Sequence, residues 1–257
     1  MQGNMNQISK IFYLTLFQMK SRYRKTFAGF LWVVSSPILT FVVQSLVFKS
    51  IFKFEINQYP LYLLSGLLPW FFISQTLYSS TTCLVASREV LLAFKIEPIT
   101  IVAANVFDQF ISFLAAFFIV SIFLIFPILD TFSFLRIMTI PIDLILILSL
   151  LLLFNSLLAF WYAFYRDINF ITNFILGLVF YITPIFFLEK MFPENYLWIL
   201  KVNIFIPFIK IFQTSIYSWN PDIWLNEVFK AILINILMAF LLKLSLKFKL
   251  KDFYVRV

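Results

Sequence analysis

Residues 87–98 read SREVLLAFKIEP and carry Arg88, Glu89, Lys95 and Glu97 between two long apolar runs, Leu61 to Val85 and Ile99 to Leu129. A charge near mid-bilayer costs about 2.5 kcal/mol or more, so this break lies outside the hydrocarbon. Each flanking run exceeds the ~18 residues that a helical span needs. Val90, Leu91 and Phe94 sit at helical spacing, with Arg88 and Lys95 on another side. That pattern fits a short amphipathic helix on the membrane surface, and equally a solvated loop joining two spans.

The rest of the composition agrees with a chain dissolved in lipid. Of 257 residues, 62% are hydrophobic and only 12% charged, where a soluble domain has about half and about a quarter. Gly is scarce and no ten-residue alternation appears, which argues against a β-barrel. The fold class is therefore all-α and integral to the membrane. The net charge of +8 comes from Lys and Arg gathered at the chain ends beside spans. Such flanks face the cytoplasm and anionic lipid, so nucleic acid is not the partner. Cys83 is the lone cysteine and there is no His, so internal disulfides, histidine zinc sites and histidine bases are excluded. No metal or cofactor site and no catalytic residue is expected. No cleavable leader is evident either, because only a short apolar patch separates Lys10 from Lys20 to Lys25.

Along the chain, residues 1–26 form a basic amphipathic segment. Ile8, Ile11, Phe12, Met19 and Tyr23 lie on one face and Lys10, Lys20 and Arg24 roughly opposite, which suits either an interfacial helix or a plain positive-inside anchor. Spans are expected at 27–52, 61–85, 99–129, 140–165, 168–188 and 223–246. Pro37 should kink or unwind the first. Ser74, Thr76, Ser79, Ser80, Thr81 and Thr82 make the lower half of the second hydroxyl-rich, for close helix packing ahead of any wet pathway. Asp108 lies about 13 Å into the third span and is expected to be a protonated or paired packing acid. Asp143 is placed near an outer end with no special role. Region 189–222 holds Pro193, Pro207 and Pro221. Its apolar pieces Leu197 to Val202 and Ile204 to Ile216 are too short to cross, so they read as re-entrant or interfacial helices on the outer face. The basic tail 247–257 and the basic start put both termini in the cytoplasm, which requires an even number of spans and selects six.

In this order and spacing, KSRYRKTFAGFLW (Lys20 to Trp32), YPLYLLSGLLPW (Tyr59 to Trp70), the break ending in Pro98, YRDI (Tyr165 to Ile168) and TPI (Thr183 to Ile185) resemble the permease subunits of ABC-2-type exporters of bacterial surface polysaccharides, whether O-antigen, capsule or teichoic acid. The resemblance covers nearly the whole chain. It implies that two copies pair in the bacterial inner membrane, that each docks a separate ATPase subunit binding ATP and Mg, and that a lipid-linked glycan is moved outward. Residues 86–98 would be the coupling helix, with Ser87, Arg88, Glu89, Leu91, Phe94, Lys95 and Glu97 meeting the ATPase. Region 189–222 would supply gate helices, with Thr183, Pro184, Asn203 and Pro207 as gate residues. Aromatic channel candidates are Trp32, Tyr62, Trp70, Phe71 and Tyr181. The chain departs from the family in two places. Asn203 is followed by Ile204 where Asn-Pro is usual, and Glu97 stands where a bulky aromatic commonly precedes the proline.

The chain has no G-x-x-x-x-G-K-[ST] pattern, so it cannot cradle ATP phosphates itself and an active transporter built on it borrows its engine. An ABC-2 exporter of drugs or lipids would share the frame. A membrane transferase acting on a polyprenyl substrate would need clustered acids, yet Asp108, Asp143 and Asp167 are scattered and no D-x-x-D occurs. A passive channel would want rings of like charge or a carbonyl filter, and neither is visible.

Overall fold

The computed structural model describes residues 6–23, 31–48, 56–94, 96–124 and 133–256. All regular structure among them is helical. In order the helices are α1 (Gln7–Tyr23), α2 (Leu31–Leu46), α3 (Tyr59–Ser80), α4 (Cys83–Ala86), α5 (Arg88–Phe94), α6 (Pro98–Leu124), α7 (Phe134–Tyr162), α8 (Asp167–Ile182), α9 (Leu197–Val202), α10 (Ile206–Ile216) and α11 (Pro221–Arg256). Two short 3-10 turns, Glu189–Met191 and Glu194–Tyr196, precede α9.

Among the described residues, four helices are long and apolar enough to cross a membrane: Tyr59–Ser80, Pro98–Ile122, Phe134–Tyr162 and Pro221–Lys247. A fifth crossing results if Glu194–Val202 and Ile206–Ile216, bent by 100°, count as one broken span. The protein is thus a multi-pass membrane protein. Of the other two expected spans, α8 is a 16-residue apolar helix. The ends of the first, 27–30 and 49–52, lie outside the described residues, as do 125–129 of the third. The described part of the first span runs as one helix through Pro37, without unwinding.

α3 is the central post. Nearly its whole circumference is buried, and it packs against α2, α6, α7, α8 and α10. A helix apolar on all sides is stable only in such a position. Phe72 stacks on Phe113 of α6 with ring centroids 4.8 Å apart, and Phe113 meets Phe212 of α10 edge-on. Two hydroxyls of its lower half bond across to α6, while Ser74 and Thr76 bond back to carbonyls of α3 itself. Ser79 and Ser80 both donate to Asn105 Oδ1 at 2.8 Å, and Gln109 donates to Ser79 at 3.1 Å, binding α3 to α6.

Element ends moved for identifiable reasons. α7 starts at Phe134 rather than 140 because Ser133 caps it, accepting the Arg136 N–H. α8 stops at Ile182 because Thr183 precedes Pro184, which disfavours helical backbone there. α1 lies along α6, with Thr15 buried and its hydroxyl 3.3 Å from the Ala104 carbonyl. Its expected single apolar face is split: Ile8 and Phe12 point outward, together with Tyr13 and Phe17, leaving an apolar outer surface suited to lipid.

Candidate functional site

At one end of the α3 post, the break is helical rather than a plain loop. α4 and α5 are short helices joined at Ser87, whose N–H bonds the Cys83 carbonyl. Leu91 is buried and anchors α5, while Arg88, Glu89 and Phe94 are exposed. Phe94 therefore leaves the apolar face that spacing assigned to it and projects at 74% exposure. Lys95 lies outside the described residues. Glu97 is exposed and accepts from Gln7 Nε2 at 2.9 Å, while Thr100 donates to Gln7 Oε1 at 3.2 Å. The start of α1 is thereby tied to the start of α6, beside the break.

The other end of α3, about 33 Å away along a 22-residue helix, carries the proline-rich hairpin. Of the four residues that the resemblance assigned to a gate, Thr183 and Asn203 meet here, and Pro184 bonds to α10, which carries Pro207. Asn203 Nδ2 donates to Thr183 Oγ1 at 2.9 Å, and Asn203 Oδ1 accepts the Phe205 N–H. Pro207 sits in the first turn of α10, where its missing N–H costs nothing. The Pro184 carbonyl accepts from Gln213 Nε2 of α10 at 2.8 Å. α10 is sunk between α3, α7 and α11, with every side chain buried except the partly covered Lys210. It is a buried element rather than one lying on the surface.

The channel candidates separate into two groups. Tyr62 and Trp70 are buried inside the protomer, and Phe71 is partly covered. Tyr62 donates to the Phe187 carbonyl at 2.5 Å and lies 3.0 Å from that of Pro184. Trp70 stacks on Phe180 and meets Phe205 at the hairpin tip. Trp32 and Tyr181 are exposed, with Tyr181 edge-on against Phe180, the ring that stacks on Trp70.

Sequence reasoning missed a polar latch at the hairpin. Asp143 is fully buried, not a bystander at a span end. It accepts from Ser215 Oγ at 2.6 Å and from Trp224 Nε1 at 2.9 Å. Arg136, also buried, donates through Nε to the Ser215 carbonyl at 2.6 Å and through a terminal nitrogen to that of Ile216 at 2.5 Å. A guanidinium at a helix C-terminus satisfies orphan carbonyls and complements the dipole. α7 thus holds the end of α10, and Trp224 brings in α11. The only signal in the sequence was the run of polar residues Arg136, Thr139 and Asp143, spaced to share one helix face.

The comparisons with known proteins point one way. The chain is 26% identical over 222 residues to the O-antigen export system permease protein RfbA of Klebsiella pneumoniae, covering 85% of this chain and 81% of that protein. A second Klebsiella pneumoniae RfbA is 26% identical over 224 residues at the same coverage. RfbA of Myxococcus xanthus is 25% identical over 174 residues, 66% of this chain and 65% of that one. No family model matches the chain. These similarities bear out the resemblance to polysaccharide-export permeases that the motifs suggested.

Proposed function

We propose that this chain is the permease subunit of an ATP-driven exporter that moves a lipid-linked polysaccharide across the bacterial inner membrane. The observation that carries this reading is the similarity, along 85% of the chain, to O-antigen export permeases. In this reading two copies pair, both termini are cytoplasmic, and α2 and α8 complete six spans with α3, α6, α7 and α11. The hairpin of α9 and α10 then gates the outer side. ATP and Mg are bound by a separate ATPase subunit that docks on α5. Exposed Arg88, Glu89 and Phe94 on a helix anchored by Leu91 suit such a contact, since a charged rim around one protruding aromatic is what a protein cleft holds well. Trp32 and Tyr181, exposed in the single subunit, are better placed to line a pore between copies than Tyr62 and Trp70, which already serve the subunit's own core.

The test is co-purification of the tagged permease with its ATPase subunit. Arg88→Glu is expected to cut ATPase recovery severalfold while the permease stays monodisperse, and unchanged recovery would count against docking at α5. In the intact complex, ATPase stimulation by undecaprenyl-linked glycan but not by hydrophobic drugs separates glycan export from a drug or lipid exporter on the same frame.

A further inference from the structure

We propose that the cavity between α9, α10 and α11 is a binding site for the phosphate headgroup of an amphiphile, with the hydrocarbon chain lying along its apolar wall. The cavity measures about 540 Å³, and its lining combines Lys201, Lys210, Lys230, Glu189 and Glu227 with aliphatic residues such as Leu200, Ile204 and Leu233. That volume is in the range of small-molecule sites. It sits on elements that read as membrane-embedded, where ionisable side chains are costly and mark ligand or substrate paths by default.

The charge arrangement selects an anion. Three lysines face two carboxylates, and both carboxylates are already engaged. Glu227, almost fully buried, accepts from Lys230 at 2.8 Å and lies 4.0 Å from Lys210. Glu189 pairs with Lys210. Among the described residues Lys201, in the last turn of α9, has no acidic partner. The net surplus is one positive charge beside a greasy wall, the polarity of a phosphorylated lipid rather than of a free sugar or a metal ion. This inference rests on the export reading for its biological sense, because a lipid-linked glycan carries such a phosphate at its lipid end. Its chemistry does not depend on that reading. The cavity also gathers Lys201 and Lys210, two of the three lysines, with Lys190, in a region that charge rules assign to the outer side.

The full-length permease, purified alone in detergent, is titrated with phosphatidic acid, with the diacylglycerol of the same chains, and with inorganic pyrophosphate, and bound ligand is counted by native mass spectrometry. Phosphatidic acid should be retained and diacylglycerol should not. Lys201→Glu should weaken phosphatidic acid binding about fivefold or more, and Glu189→Gln, which releases Lys210, should strengthen it by a similar factor. Both positions are exposed, so both variants should fold. Displacement of phosphatidic acid by millimolar pyrophosphate assigns the affinity to the phosphate alone, and resistance to displacement assigns it to headgroup and chain together; either supports the site. Equal retention of the two lipids, or phosphatidic acid binding unmoved by both substitutions, overturns it. Since the permease is tested without its ATPase, that failure would leave docking at α5 standing.

Discussion

Replacing Asp143 tests whether the hairpin is held by its polar latch or only by packing. Asp143→Asn keeps the shape of the side chain. Its carboxamide can accept one of the two donors now pointing at it, Ser215 Oγ at 2.6 Å or Trp224 Nε1 at 2.9 Å, and presents an NH₂ group to the other. One buried donor is left without its acceptor, about 1–3 kcal/mol. Asp143→Ala strands both buried donors and opens a cavity, about 3–5 kcal/mol. At about 2–4 °C per kcal/mol for a chain of this size, the midpoint of thermal unfolding in detergent should fall by about 2–12 °C for the amide and further for alanine. The loss should be local as well. Hydrogen exchange in α10 should accelerate ahead of exchange in α3, because α10 reaches α7 through Ser215 and through the Arg136 bonds to its last carbonyls. Trp224→Phe removes the same 2.9 Å contact from its other partner, so the pair of substitutions should be less than additive by about 0.5–3 kcal/mol. Midpoints within about 1 °C of the parent for both Asp143 variants, or strict additivity with Trp224→Phe, would refute the latch.

Two glycines give a contrast within one protein. A Cβ on Gly66 would stand 3.0 Å from Gln213 Nε2 and 3.4 Å from the Ile185 backbone, whereas one on Gly177 would meet nothing within 4 Å. Gly66→Ala should therefore lower the unfolding midpoint, with overpacking of about 1–3 kcal/mol outweighing the better helix propensity, and Gly177→Ala should raise it slightly; equal shifts in a parallel melt would deny the close approach of α3 to the hairpin. Asp108→Asn should leave expression and export close to normal, since Asp108 is buried in α6 and is assigned to packing; loss of export at normal expression, read by surface glycan, would return it to the mechanism.

Much of this fold could be read from hydropathy alone, because a membrane sorts residues by the same property. The charged break, the helical class and the two short pieces near 197–202 and 204–216 follow from which residues lipid tolerates, and the structure has α9 and α10 there. What hydropathy could not show is a partner. Arg136 and Thr139 look like loop residues until Ser215, some 76–79 positions later, is folded against them. Asp143 looks like an interfacial acid until Trp224 covers it. The same blindness hid which side of α5 is free: Phe94 has the spacing of a buried residue, but it is the last residue of α5 and stands exposed where Leu91 is buried. Asn203 and Pro207 were placed in the gate by resemblance, and their geometry supplies a reason: the asparagine stops α9 and bonds Thr183, and the proline opens α10.

The break and the hairpin share one rigid neighbour, and this makes Tyr62 the most informative residue to change. α3 is buried along its length. At its lower end Ser79 and Ser80 are bonded to α6, next to α4 and α5. At its upper end Tyr62 holds the carbonyl of Phe187, next to that of Pro184, which also accepts from α10. A close-packed helix does not flex gradually, so displacement at one end is passed on as movement of the whole rod. Tyr62→Phe keeps the ring against Tyr217 and removes only the hydroxyl that ties the rod to the 184–187 turn. If the rod carries motion from α5 to the hairpin, this variant should bind its ATPase partner normally and hydrolyse ATP, while glycan export falls, so that more ATP is spent per chain exported. A merely structural role would instead lower hydrolysis and export together, in proportion to folded protein. Measuring both in the same vesicles decides between them, and an unchanged ratio of hydrolysis to export would mean that α3 does not connect the two ends through Tyr62.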